Sequence, residues 1–242
     1  MKLNISKTFV NYGIKRKIFE DFQIEFEESK ITSIVAPFKT GKSSLLKILA
    51  GIEQNDEKLE PIQNSFLITS EPMSFPWMNL KQTLLFANKN LDENKIIEIA
   101  KIVGLEGYEN HYPHNKSLGY RFRIALATAI AKNSKLILID ESFQNMEQIT
   151  KYELYQLLID LNKKNNIGFI VGTSNLHEAI LLSDEIILLK NIPHKTYNKF
   201  IVNHSSQKIE ERIKSEAFIS TNQKLINVIN QEDLNQNLNF IL

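Results

Sequence analysis

Two clusters of residues, about a hundred positions apart, have types and spacing suited to handling a nucleotide phosphate. The first runs Ala36-Pro37-Phe38-Lys39-Thr40-Gly41-Lys42-Ser43-Ser44 and has the spacing of a phosphate-binding loop, except that alanine stands where the leading glycine is expected. In such a loop, backbone N–H groups and the N-terminus of the following helix donate to phosphate oxygens. Lys42 would reach the terminal phosphates and the Ser43 hydroxyl would ligate magnesium. The missing glycine matters if position 36 needs positive φ or a close backbone approach, and alanine adds only a methyl group there. Lys39 also occupies a position where such loops often carry glycine. Taken alone, the stretch reads equally as a chance Thr-Gly-Lys-Ser-Ser ahead of a helix.

The second cluster is Asp140-Glu141, closing the apolar run "LILI". An aspartate at a strand end can hold a magnesium shell, and a neighbouring glutamate can orient or deprotonate an attacking water. A buried strand ending in an acidic turn is the bland alternative. The two clusters together are far less common than either alone.

These residues require particular elements around them. "ITSIVA" (Ile31–Ala36) reads as a buried strand entering the loop, and "KSSLLKILAG" as a helix that stops at Gly51. "KIFEDFQIEF" (Lys17–Phe26) alternates like a half-buried strand, and "SFLITS" is a further strand. From Asn79 to Gly104 the pattern is helical, and "YRFRIALATAIAK" leads into the strand "KLILIDES". Then follow the helix "QITKYELYQLLIDLNKKN", the strand "IGFIVGTS", the helix "LHEAILLS" and the strand "DEIILLK". This alternation predicts an α/β fold with a mostly parallel sheet flanked by helices, an N-terminal β portion and an inserted helical subdomain. The predicted division of residues 1–242 is a core of about 1–70 and 133–190, a helical subdomain of about 71–132 and a C-terminal extension of about 191–242. Beyond Lys190 the sequence reads as polar and irregular, apart from a closing helix in "SEAFISTNQKLINVI".

The chain has 242 residues, 43% hydrophobic and 24% charged, as expected of an ordinary globular protein. A net charge of +1 supplies no field to recruit nucleic acid or an anionic membrane. The absence of cysteine excludes disulfides, thiolate catalysis and cysteine-ligated metals. No run approaches the roughly 20 apolar residues of a membrane span, and the N-terminus lacks the apolar stretch of a signal peptide.

Longer stretches point to a family. "YPHNKSLGYRFRIALATAIAKNSKLILIDESF" (Tyr112–Phe143) resembles the signature helix and following strand of ABC transporter ATPase subunits. "SEPMSFPWMNLKQTLLFA" (Ser70–Ala87) resembles the segment joining core and helical subdomain in the importer branch serving nitrate, sulfonates and taurine. "TSNLHEAILLSDEIILL" (Thr173–Leu189) continues the likeness, which extends to about residue 230.

The resemblance implies an ATP- and Mg²⁺-dependent P-loop NTPase. Lys42, Ser43, Ser44, Asp140 and Glu141 match its nucleotide, magnesium and general-base residues. The signature Leu-Ser-Gly-Gly becomes Lys116-Ser117-Leu118-Gly119, keeping the serine and second glycine that the family uses against the opposite subunit's ATP. The loop glutamine that links magnesium, water and membrane subunit falls at Ser70, and the switch histidine falls at Ser174. Glu147 replaces a loop aspartate, and Ser142 replaces the proline after the general base. His177 lies in the next turn and is expected to face solvent. Phe9, with Tyr12 second, is expected to stack on adenine.

The lost contacts have different costs. One hydrogen bond to a charged phosphate is worth about 1.5–3 kcal/mol, or roughly ten- to a hundredfold in affinity. A positioned proton-handling or electrostatic group is worth about 10²–10⁴ in rate. The expectation is an ATP-binding subunit whose hydrolysis is slow or partner-dependent, coupled to import. The alternatives are a pseudo-ATPase that binds ATP without useful turnover, and an interaction scaffold. Implied partners are a membrane permease, docked around Glu71–Leu84, a homologous ATPase subunit in a heterodimer or homodimer, and indirectly a solute-binding protein. The implied location is the cytoplasmic face of the cell membrane.

Overall fold

The computed structural model describes residues 2–11, 14–54, 56, 62–72, 74–113, 117–189 and 192–233. Two strands, β1 (Lys2–Asn11) and β2 (Ile14–Glu25), pair antiparallel. The remaining strands are β3 (Ile31–Val35), β4 (Ser65–Ile68), β5 (Leu136–Asp140), β6 (Gly168–Thr173), β7 (Glu185–Leu189) and β8 (Tyr197–Ile201). They form one sheet in the order β4-β5-β6-β3-β7-β8, parallel except for the β7–β8 pair. The fold is thus the α/β class expected from the alternation, with a mostly parallel sheet and helices on both faces.

Every residue of β3, β5, β6 and β7 is buried, the signature of a sheet covered on both sides. The period-2 alternation within β5 divides the core. Leu136 and Leu138 join Ile34, Ile170 and Ile187 beneath α1 (Lys42–Leu49), with the β2 aromatics Phe19 and Phe22 and, just after that strand, Phe26. Ile137 and Ile139 face the opposite cluster. That cluster holds α2 (Leu80–Ala87), α3 (Glu93–Ile102), α4 (Leu118–Ala131) and α5 (Gln148–Asn165). A third cluster packs α6 (Leu176–Leu182) and α8 (Glu216–Asp233) over Val35, Ile186 and Leu188.

The helix starts are locally encoded. Asn79 accepts from the Gln82 amide while the Gln82 side chain returns to the Asn79 N–H, a complete capping box. Asp92, Ser117 and Asn175 cap α3, α4 and α6 in the same sense through one bond each.

One expectation is corrected. The stretch beyond Lys190 is not irregular: β8 extends the sheet beside β7, and α7 (Ile209–Arg212) precedes α8. β8 escapes notice because an edge strand is only half-buried and so carries a polar composition, here Tyr-Asn-Lys-Phe-Ile. Lys199 on β8 pairs with buried Glu185 at 2.8 Å, and Lys30 reaches the same carboxylate at 3.0 Å, so the charges that read as irregular are partnered.

Candidate functional site

The loop from Ala36 to Gly41 joins β3 to α1. Positive φ occurs at Lys39 (62°) and Gly41 (106°), and not at Ala36. Alanine at the leading position therefore imposes no left-handed strain, while Lys39 occupies a conformation that favours glycine. Gly41 is required sterically as well, since a Cβ there would lie 2.5 Å from Ile18 Cγ2 on β2. It precedes α1 with no side chain bound to the first-turn amides, which leaves those N–H groups for an anion.

Lys42, the first residue of α1, is buried and folds back over the loop. Its Nζ donates to the carbonyls of Ala36 at 2.7 Å and Pro37 at 2.9 Å, and lies 3.0 Å from Glu141 Oε1. It also sits 5.6 Å above the half-exposed Phe38 ring. Burial pushes the Lys42 ammonium toward its neutral form, and the charge and hydrogen bond of Glu141 pull it back. Thr40 Oγ1 donates to the Pro37 carbonyl at 2.6 Å and tightens the turn.

Strand β6 lies between β3 and β5, so the two clusters meet across an intervening strand. Its residue at the crossing is Gly172, where a Cβ would stand 2.8 Å from Leu46 Cδ1. Without that side chain α1 lies close, and Ser43 Oγ donates to Asp140 Oδ1 at 3.0 Å. Burial raises the Asp140 pKa, and the Ser43 hydrogen bond opposes the shift. Glu141 has φ 49, its N–H donates to the Gly172 carbonyl at 2.9 Å, and its Oε2 accepts from Ser174 Oγ at 3.3 Å. Non-glycine left-handed residues thus stand on both sides of the site, at Lys39 and Glu141.

Phe38, Lys39, Gly41, Lys42, Ser43, Ser44 and Glu141, with Ile18 from β2, line a cavity of roughly 400 Å³. An ammonium, free first-turn amides and a concave loop suit a triphosphate. A hydroxyl and a carboxylate oxygen in contact are hard donors suited to Mg²⁺, which takes few protein ligands and completes its shell with phosphate and water.

Other predicted site residues lie apart. Ser70 is exposed beyond β4. Ser142 Oγ, donating to the Thr69 carbonyl at 2.8 Å, fixes that strand end beside β5. Ser117 accepts from the Tyr120 amide at 3.3 Å as the cap of α4, and Gly119 lets α4 pack on Thr150, whose Cγ2 a Cβ would meet at 2.5 Å. Neither lines the loop cavity of the same chain. Glu147 precedes α5 and is exposed. His177 is exposed as expected, 5.4 Å from the Phe218 ring. Lys116, Tyr12 and the Phe9 side chain lie outside the described residues.

Sequence reasoning missed two buried groups behind the site. Glu178 accepts from the Tyr155 hydroxyl at 2.7 Å, with burial raising its pKa. His194, fully buried, has Nε2 2.7 Å from the Thr40 carbonyl. Both are single polar residues whose partners are distant in sequence, so no local pattern marks them.

The geometry has counterparts among known proteins. The family model described as "ABC transporter" matches residues 19–144. An aliphatic sulfonates import ATP-binding protein, SsuB, of Bacillus subtilis (strain 168) is 30% identical over 205 residues, covering 79% of this chain and 80% of the relative. An uncharacterized ABC transporter ATP-binding protein of Methanocaldococcus jannaschii is 27% identical and covers 96% of this chain and 91% of its own. Among solved structures, a dimeric ATP-binding cassette in a post-hydrolysis state bound to ADP and Pi superposes with a TM-score of 0.70 at 21% identity, covering 84% of this chain and 100% of the other. The cbiO1 protein of Clostridium perfringens, part of an ABC transporter complex, gives 0.70 at 18%, covering 93% and 96%.

Proposed function

The chain belongs to the ABC transporter family, and we propose that it is the ATP-binding subunit of an importer, coupling ATP binding and slow or partner-dependent hydrolysis to transport through a membrane permease. The observation that carries this reading is the convergence of Lys42, the Ser43–Asp140 contact and Glu141 on one loop cavity.

In this reading the amides of the Ala36–Ser44 loop and Lys42 hold the triphosphate, while Ser43 and Asp140 hold Mg²⁺. Bound magnesium supplies charge neutralisation at the phosphate oxygens. Glu141 orients the attacking water and takes its proton. Ser174, in hydrogen-bond contact with Glu141, positions that carboxylate. Ser70 takes the place of the family's loop glutamine, which serves the metal shell, and Ser117 and Gly119 face the nucleotide of a second subunit. That second subunit is a homologous ATPase, preferably an intact one in a heterodimer. Phe9 stacks on adenine.

The helical subdomain of about 71–132 carries the permease-facing surface. Phe75, Phe86, Thr83 and Lys132 line an open apolar cavity of roughly 450 Å³, with Trp77 exposed near it. The core spans about 1–70 and 133–190, and the C-terminal extension about 191–242. The subunit works at the cytoplasmic face of the membrane, with a solute-binding protein as an indirect partner. Among the described residues, no helix is long and apolar enough to cross a membrane.

A specific observation favours a second reading. Lys42 is engaged by Glu141, and the switch position is a serine that reaches Glu141 itself. A pseudo-ATPase that binds ATP without turnover fits this arrangement.

Titration with a fluorescent ATP analogue, with and without Mg²⁺ and beside Lys42→Ala, tests the common premise. Saturable binding lost in the variant supports it, and binding indifferent to Lys42 removes it. Mg²⁺-dependent turnover in the assembled transporter, abolished by Glu141→Gln, separates the ATPase from the pseudo-ATPase.

A further inference from the structure

We propose that His194 is a positioning residue for phosphate binding, holding the Thr40–Gly41 peptide so that its N–H faces the phosphates; this rests on the reading that the Ala36–Ser44 loop binds nucleotide. His194 lies between β7 and β8, more than a hundred positions from the loop and outside the segment that matches the family model.

Its backbone is fixed to β2 in both directions. The His194 N–H donates to the Ile18 carbonyl at 2.7 Å, and the Glu20 N–H donates to the His194 carbonyl at 3.0 Å, around an isolated parallel bridge to Phe19. The ring is held by Phe19, with centroids 5.2 Å apart, and by Phe22 at 6.4 Å. It is fully buried, and Nε2 lies 2.7 Å from the Thr40 carbonyl oxygen. A carbonyl oxygen only accepts, so Nε2 carries the proton and donates.

The consequence follows from peptide planarity. In a trans peptide the C=O and the following N–H point in opposite directions. Neither His194 nor Thr40 lines the loop cavity, whereas Gly41 does. In the proposed arrangement, with the Thr40 carbonyl held on His194, the Gly41 N–H is turned toward the side lined by Lys42, Ser43, Ser44 and Glu141. This peptide is the one most in need of restraint. Gly41 has φ 106, and glycine permits a flip that would present a carbonyl oxygen, rather than an N–H, to an anion. Ile18 and Phe19 confine Gly41 sterically, and His194 adds the directional contact that packing lacks.

The glutamine amide nitrogen stands roughly where histidine Nε2 stands, whereas that of asparagine falls short of it. Calorimetric titration with ATP, and separately with inorganic pyrophosphate, compares the wild type with His194→Gln, His194→Asn, His194→Leu and Lys42→Ala. His194→Gln is expected to bind within about threefold of the wild type. His194→Asn and His194→Leu are expected to weaken both probes about tenfold, the scale of one net hydrogen bond, because the effect is on phosphate and not on the base. Melting temperatures accompany each titration, and if His194→Leu fails to fold, the Gln and Asn pair decides. Wild-type binding that His194→Asn leaves unchanged, or that Gln and Asn weaken equally, overturns the assignment of His194 alone. Wild-type binding of neither probe above Lys42→Ala overturns the phosphate reading of the loop, and this inference with it.

Discussion

The Lys42 ammonium and the Glu141 carboxylate stand 3.0 Å apart across the mouth of the phosphate loop, both shielded from solvent. The lysine that would bind phosphate and the glutamate that would activate water thus neutralise one another. In the proposed function, nucleotide entry would exchange this pair for a lysine–phosphate contact and release the carboxylate to water.

Removing the carboxylate charge therefore has opposite effects on two measurements. For Glu141→Gln, the affinity of the isolated subunit for a fluorescent ATP analogue is expected to rise about three- to tenfold, since the competitor for Lys42 is weakened. Turnover in the assembled transporter is expected to fall about 10²–10⁴-fold. Unchanged affinity would show that the ion pair does not gate the loop.

The two loop positions that depart from glycine should behave differently. Ala36 has no positive φ, so Ala36→Gly is expected to change nucleotide affinity by no more than about threefold, or ~0.6 kcal/mol. Lys39 has φ 62, where an L-residue carries about 1 kcal/mol of strain. Lys39→Gly is expected to raise the melting temperature by about 1–3 °C. A lower melting temperature for Lys39→Gly would mean that Lys39 makes contacts outweighing the strain.

Glu178 gives a pH signature. Burial, opposed by the Tyr155 and Thr173 hydrogen bonds, holds its carboxyl above the ordinary glutamate range in the folded state. Its folded pKa exceeds its unfolded one, so its contribution is fully present below the unfolded value, about 4.3, and is lost as pH rises through the folded value. The melting temperature of the wild type minus that of Glu178→Gln should accordingly fall as pH is raised from about 4 to 8. A flat or rising difference would contradict this assignment.

The apolar surface of the helical region separates docking from nucleotide binding. Trp77 and Phe86 are 69% and 66% exposed, and Phe75 contacts both rings, at 5.6 and 5.9 Å. Phe86→Ser and Trp77→Ser are each expected to reduce copurification with the permease about tenfold or more, as central aromatic anchors do. ATP-analogue affinity should stay unchanged in both. Retained copurification would move the docking surface elsewhere.

The strand–loop–helix unit, the acidic strand end and the alternation of strands and helices along the chain were legible because each rests on local periodicity. Gln148–Asn165 reads as an amphipathic helix and forms α5 over that span. The edge strand β8 was hidden by its half-buried, polar composition, and its Lys199 finds Glu185 only across the sheet.

For the site, the sequence by itself determined which groups are present: a lysine, two serine hydroxyls and two carboxylates with the spacing of a phosphate loop and an acidic strand end. It could not decide what they touch. The Lys42–Glu141 pair, the Ser43–Asp140 contact across Gly172, and the ordinary φ of Ala36 beside the left-handed Lys39 depend on how strands distant in sequence are ordered in one sheet. Linear spacing fixes neighbours along a helix or strand, because backbone geometry repeats over a few residues. Contacts between residues a hundred positions apart are set by the packing of whole elements, and only the tertiary structure decides those.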